Sequence, residues 1–67
     1  MWTVVYIAPT QEIAQKVKRL FEDDGILVHL RRVEMDDAGR ASTEIMVLEG
    51  EAEEAQEILT QHLGRLR

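Results

Sequence analysis

Hydrophobic residues recur along this chain with two different periods, which divide it into strands and helices. Residues 2–8 are rich in β-branched and aromatic side chains and carry no charge, so they predict a strand that Pro9 ends. Thr10 is a suitable N-cap for a helix that Gly25 closes. The apolar stripe of that helix has the spacing of one helical face and consists of Ile13, Ala14, Val17, Leu20 and Phe21.

The second half of the sequence predicts a hairpin followed by another helix. Residues 26–34 and 42–48 alternate as strands do, and the Asp-Asp-Ala-Gly sequence at 36–39 has the composition of a turn between them. Glu49 and Gly50 break the third strand, and Gly64 ends the second helix. The apolar stripe of this helix is Ala52, Ala55, Ile58, Leu59, His62 and Leu63.

The predicted element order is β-α-β-β-α within a single domain spanning residues 1–67. A right-handed crossover between the first and second strands leaves room for the third strand between them. The predicted architecture is therefore an α+β, ferredoxin-like βαββα fold. It has a three-stranded antiparallel sheet of order 1-3-2 with both helices on one face.

One sheet face has no helix in this prediction, and it is more apolar than a solvated face should be. The first strand also lacks the charges that protect an edge from pairing. In that strand either Trp2, Val4 and Tyr6 or the alternate set Thr3, Val5 and Ile7 can face outward. The predicted interaction surface is Trp2, Val4, Tyr6, Leu27, Met46 and Leu48. We expect a homodimer, formed by strand-edge pairing or by sheet-face packing, and both modes remain open.

Composition excludes several classes of function. The formal net charge of −5 argues against binding to nucleic acid and to anionic membranes. The absence of cysteine removes disulfides and thiolate metal ligands. We find no secretory signal and no apolar run long enough to span a membrane, so a cytoplasmic protein without cofactor or metal is the expectation.

The sequence also lacks a convincing catalytic constellation. Carboxylate pairs are predicted at a helix end, a hairpin tip and an exposed helix turn: Asp23-Asp24, Asp36-Asp37 and Glu53-Glu54. Acid–base catalysis requires two carboxylates in a pocket whose environment makes their pKa values differ. The predicted positions of these pairs are exposed and offer no such pocket. Ser42 is the only serine and lies outside any nucleophile elbow. We therefore expect a protein that is not an enzyme.

The basic residues around the hairpin form the one candidate ligand site. His29, Arg31 and Arg32 could bind a small anion, because arginine offers a rigid fork of donors. The plainer interpretation is that these residues protect an edge, with the arginines paired to carboxylates of the hairpin such as Glu34 or Glu44. RNA binding is disfavoured, since the central strand has no aromatic residue for base stacking.

Two strings in the sequence are similar to a known family. They are Trp-Thr-Val-Val-Tyr-Ile-Ala-Pro at residues 2–9 and Glu-Ile-Met-Val-Leu-Glu-Gly-Glu-Ala-Glu-Glu-Ala at residues 44–55. Together with the Gly-Ile-x-Val motif at 25–28, they resemble small bacterial proteins of unknown function described as prokaryotic signal-transducing proteins. The resemblance implies a PII-like βαββα regulator and supplies no catalytic residue. The expected function is thus a regulatory or protein-interaction module in signal transduction, with a sensor of an anionic metabolite as the alternative.

Overall fold

A computed structural model describes residues 1–33 and 42–62 and confirms the predicted fold. Its elements are β1 (Trp2–Ala8), α1 (Gln11–Asp23), β2 (His29–Val33), β3 (Ser42–Leu48), a 3₁₀ turn (Glu49–Glu51) and α2 (Ala52–His62). The strands form one antiparallel sheet in the order β1-β3-β2, as in a ferredoxin-like α+β domain. The predicted turn at 36–39 and the predicted end of α2 at Gly64 lie outside the described residues.

Helix α1 begins and ends as its sequence predicts. The Thr10 hydroxyl oxygen accepts a hydrogen bond from the Ile13 backbone N–H at 3.1 Å, which satisfies one donor of the first turn. Gly25 has a φ of 80°, a left-handed conformation that closes the helix without the strain a side chain would bring. Within the described ranges, neither helix has the length and apolarity to span a bilayer.

Strand β2 begins later than the sequence predicts. The alternation starts at Ile26, whereas pairing with β3 starts at His29, opposite Met46. The reason is that the Ile26 N–H still bonds to the carbonyl of Phe21 at 2.9 Å, so the chain is completing the end of α1. Residues 26–28 therefore connect α1 to β2, and Leu27 lies in this connection with 63% of its surface exposed.

The core lies between the two helices and one face of the sheet. Its largest fully buried side chains are Phe21, Ile45, Val17 and Val47. The predicted stripes of both helices supply the helical half: Ala14, Val17 and Phe21 from α1, and Ala55, Ile58 and Leu59 from α2. Because the core takes only one face of the sheet, neither α1 nor α2, as described, packs against the opposite face.

A β-bulge in β1 changes which of its side chains face outward. Val4 pairs with Met46 and Tyr6 with Ile45, so Val5 is an extra residue in the strand. Val5 and Tyr6 both pack against the core as a result. The prediction that Tyr6 faces outward is therefore wrong. Neither of the two predicted alternating sets describes β1, because the bulge places Ile7 instead of Tyr6 on the face that carries Trp2 and Val4.

Candidate functional site: the outer face of the sheet

The sheet face opposite the helices is the candidate site, and we call it the outer face. Cross-strand partners in a sheet share a face, so its members follow from the pairing of the strands. Successive rows pair Trp2 with Leu48, Val4 with Met46 and His29, Ile7 with Glu44 and Arg31, and Ser42 with Val33. The predicted surface residues Trp2, Val4, Met46 and Leu48 thus belong to one contiguous face.

Two aromatic rings meet over the central strand of the outer face. Trp2 and His29 come from the two edge strands, yet their ring centroids are 5.6 Å apart at an interplanar angle of 41°. This distance is within the range of favourable aromatic contacts. Since β3 lies between the two edge strands, the ring pair spans the strand that carries the half-buried side chains of Met46 and Leu48.

The outer face keeps a large apolar area in contact with water. The exposed fractions are 40% for Trp2, 39% for Val4 and 56% for Ile7, and Val33 is also exposed. Leu27 and Met1 add exposed apolar surface outside the strands. Burying such area is favourable by roughly 25 cal/mol per Å². An apolar area of this kind on a sheet face is typical of a surface that binds a partner.

The three predicted anion-binding residues do not converge on one site. Arg31 donates from Nε to the Glu44 carboxylate at 2.6 Å, and its terminal nitrogen also contacts that oxygen. His29 shares the outer face with Arg31 but contacts Trp2. Arg32 pairs with Thr43 on the opposite face of the sheet. The plainer interpretation, in which Arg31 pairs with a neighbouring carboxylate, describes the structure.

A shallow groove of about 580 Å³ lies on the exposed side of α2. Its lining consists of amides, a hydroxyl and carboxylates from a single helix: Glu53, Gln56, Glu57, Thr60 and Gln61. All five residues are exposed and lie on one face of α2, so the groove is open to solvent. Among the residues of 1–33 and 42–62, no group of three or more potential ligands is placed to hold a metal ion.

Comparisons with known proteins give no match. No family model, no curated protein and no solved structure is significantly similar to this chain.

Sequence reasoning missed three features of the site. Ile7 shares the outer face with Trp2 and Val4 only because of the bulge, and the strand-forming residues at 4–6 give no sign of a bulge. The Trp2–His29 contact depends on the register of all three strands. The side-chain amide of Gln56 donates to the Val5 carbonyl at 3.2 Å, although Gln56 looks like an ordinary solvent-facing position of α2.

Proposed function

We propose that this chain is a non-enzymatic regulatory or protein-interaction module, of a kind used in signal transduction, that acts as a homodimer. The observation that supports the proposal is the outer face: exposed apolar side chains share it, and the Trp2–His29 ring pair lies at one end, next to Val4 and Met46. Interfaces concentrate their binding energy in such aromatic anchors, and their cores are poor in charge. The resemblance to small signal-transducing proteins agrees with this role.

Self-association is the testable part of the proposal. We expect the weight-average mass to rise from monomer to dimer when the chain is concentrated from about 10 µM to about 1 mM, since small interfaces give weak, reversible complexes. Sedimentation equilibrium at several loading concentrations measures this directly. A single monomer mass over the whole range would contradict the proposal.

The alternative is a sensor that binds an anionic metabolite through His29, Arg31 and Arg32. It has less support than the interaction module, because the Arg31 guanidinium is already bonded to Glu44 and Arg32 lies on the other face of the sheet. An anion at Arg31 would have to displace the Glu44 carboxylate. Binding there would therefore compete with an existing charge-assisted hydrogen bond.

A further inference from the structure

We propose that a second copy of this chain covers the outer face, so that two sheets stack face to face instead of joining at the edges of their first strands. This inference rests on the homodimer of the proposed function and specifies its geometry.

The open edge of β1 is poorly suited to pairing with another strand. The Met1 carbonyl accepts a hydrogen bond from the Glu49 N–H at 2.9 Å, so Met1 and Thr3 turn their backbone groups toward β3. Trp2 and Val4 consequently turn theirs toward the open edge. The bulge at Val5 then breaks the regular spacing that a partner strand needs, and bulges are a common device against edge pairing.

Helix α2 closes this edge further. The Gln56 side-chain amide donates a hydrogen bond to the Val5 carbonyl at the bulge. Without this bond, the carbonyl would be available to accept a hydrogen bond from an incoming strand. Only the short segment around Trp2 and Val4 keeps a regular edge. Edge pairing was a candidate because β1 carries no charge. The bulge and the hydrogen bond from Gln56 protect this edge in place of charged side chains.

The outer face, in contrast, has the properties of a packing surface. Two sheets that pack face to face interdigitate their side chains at about 10 Å separation. Trp2, Met46 and Leu48 supply large apolar groups toward one end of the face, where the Trp2 ring contacts that of His29. Tryptophan and methionine are both enriched at the centres of protein interfaces.

Charge favours a second copy as the occupant. The chain has a net charge of −5, and α2 exposes Glu53, Glu54 and Glu57. The outer face differs, because among its described residues Arg31 and Glu44 are the charged pair and they neutralise each other. A strongly basic or acidic partner would find no counter-charge there. An identical face is also neutral, so a symmetric contact of the two faces brings no unpaired charge into the interface.

The area of the outer face predicts that the complex with a second copy is weak. With strands about 4.8 Å apart and a rise of about 3.4 Å per residue, three strands of up to seven residues cover roughly 14 × 24 Å, or about 340 Å² in projection. A tight complex buries about 800 Å² on each partner, which is more than this face offers. The face therefore suits a reversible dimer that forms when the chain itself is concentrated.

Distance measurement between spin labels separates the two geometries. The chain has no cysteine, so Glu57→Cys on the exposed side of α2 gives a single labelling site. The Cα atoms extend 15 Å along the shortest axis of the molecule. Face-to-face stacking puts both α2 helices on the outside, and with sheets about 10 Å apart the labels should be roughly 30–40 Å from each other.

Edge joining predicts a much shorter distance. Helix α2 contacts β1, so joining two β1 edges would place both α2 helices side by side on one face of a continuous sheet. Packed helices lie about 8–10 Å apart, and labels on their exposed sides would be within about 20 Å. Gln15→Cys on the exposed side of α1 gives an independent second site.

The outcomes distinguish failure of this inference from failure of the proposed function. A long distance at both sites, in samples whose mass is that of a dimer, is the result we expect. A short Glu57 distance in a dimeric sample would overturn face-to-face stacking and leave the homodimer standing. A sample that stays monomeric, with no intermolecular coupling, would overturn both.

Discussion

Replacing Met46 with lysine is expected to weaken self-association at least about 100-fold while the monomer keeps its fold. Met46 lies in the central strand of the outer face, between Val4 and His29. A face-to-face dimer would bury two new ammonium groups near each other, and like charges placed together in an interface cost several kcal/mol. Each 1.4 kcal/mol corresponds to a factor of ten in the dissociation constant.

The monomer should tolerate this change, because Met46 is outside the helix–sheet core. A lysine stem can lie along the sheet while its charged end reaches water. Val4→Lys should have a similar effect from the neighbouring strand. Gln15→Lys adds the same charge on the exposed side of α1 and should leave the dimer intact.

Sedimentation equilibrium of these variants, with circular dichroism to confirm helix content, gives the measurement. If Met46→Lys dimerises as tightly as Gln15→Lys, the interface does not include the centre of the outer face. Equal weakening by both lysines would indicate a general effect of charge instead of a specific contact.

Replacing Phe21 with alanine is expected to have the largest effect on stability. Phe21 is fully buried and is the largest side chain of the core. Truncating a buried phenylalanine to alanine typically costs 3–5 kcal/mol, because apolar burial is lost and a cavity remains. Domains of this size are stable by only about 3–10 kcal/mol, at roughly 0.05–0.15 kcal/mol per residue. The substitution should therefore remove a third or more of the free energy of unfolding, and all of it if the parent lies at the low end of this range.

Urea denaturation followed by circular dichroism measures this loss at a concentration where the chain is monomeric. Leu27→Ala is the matched control, because it also removes a large apolar side chain but from a position that is 63% exposed. Its cost should be below about 0.5 kcal/mol, as for surface substitutions generally. A Phe21→Ala variant as stable as Leu27→Ala would show that the core is not organised around α1 as described.

The fold was predictable because local signals agree with each other at most positions. The Thr10 cap, the apolar stripe of α1 and the left-handed Gly25 each specify the same helix, and the structure contains all three. The strand order followed from the element order and the handedness of the crossover. Agreement of this kind across levels is what makes a sequence specify one fold.

The details of the candidate site were less predictable, because they depend on register and not on composition. Val4, Val5 and Tyr6 are all strand formers, so the sequence does not reveal that Val5 is an extra residue. The bulge is stabilised from a distant part of the chain by Gln56. The start of β2 at His29 is likewise set by a hydrogen bond from Ile26 back to α1.

The fluorescence of Trp2 as a function of concentration shows directly whether a second copy covers the outer face. Trp2 is the only tryptophan in the chain, lies on the outer face and is 40% exposed. The wavelength of its emission therefore reports whether that face is in contact with water. We predict that the emission shifts to shorter wavelength as the chain is concentrated, with the same midpoint as the rise in mass. A doubling of mass with unchanged Trp2 emission would place the interface elsewhere and contradict the account.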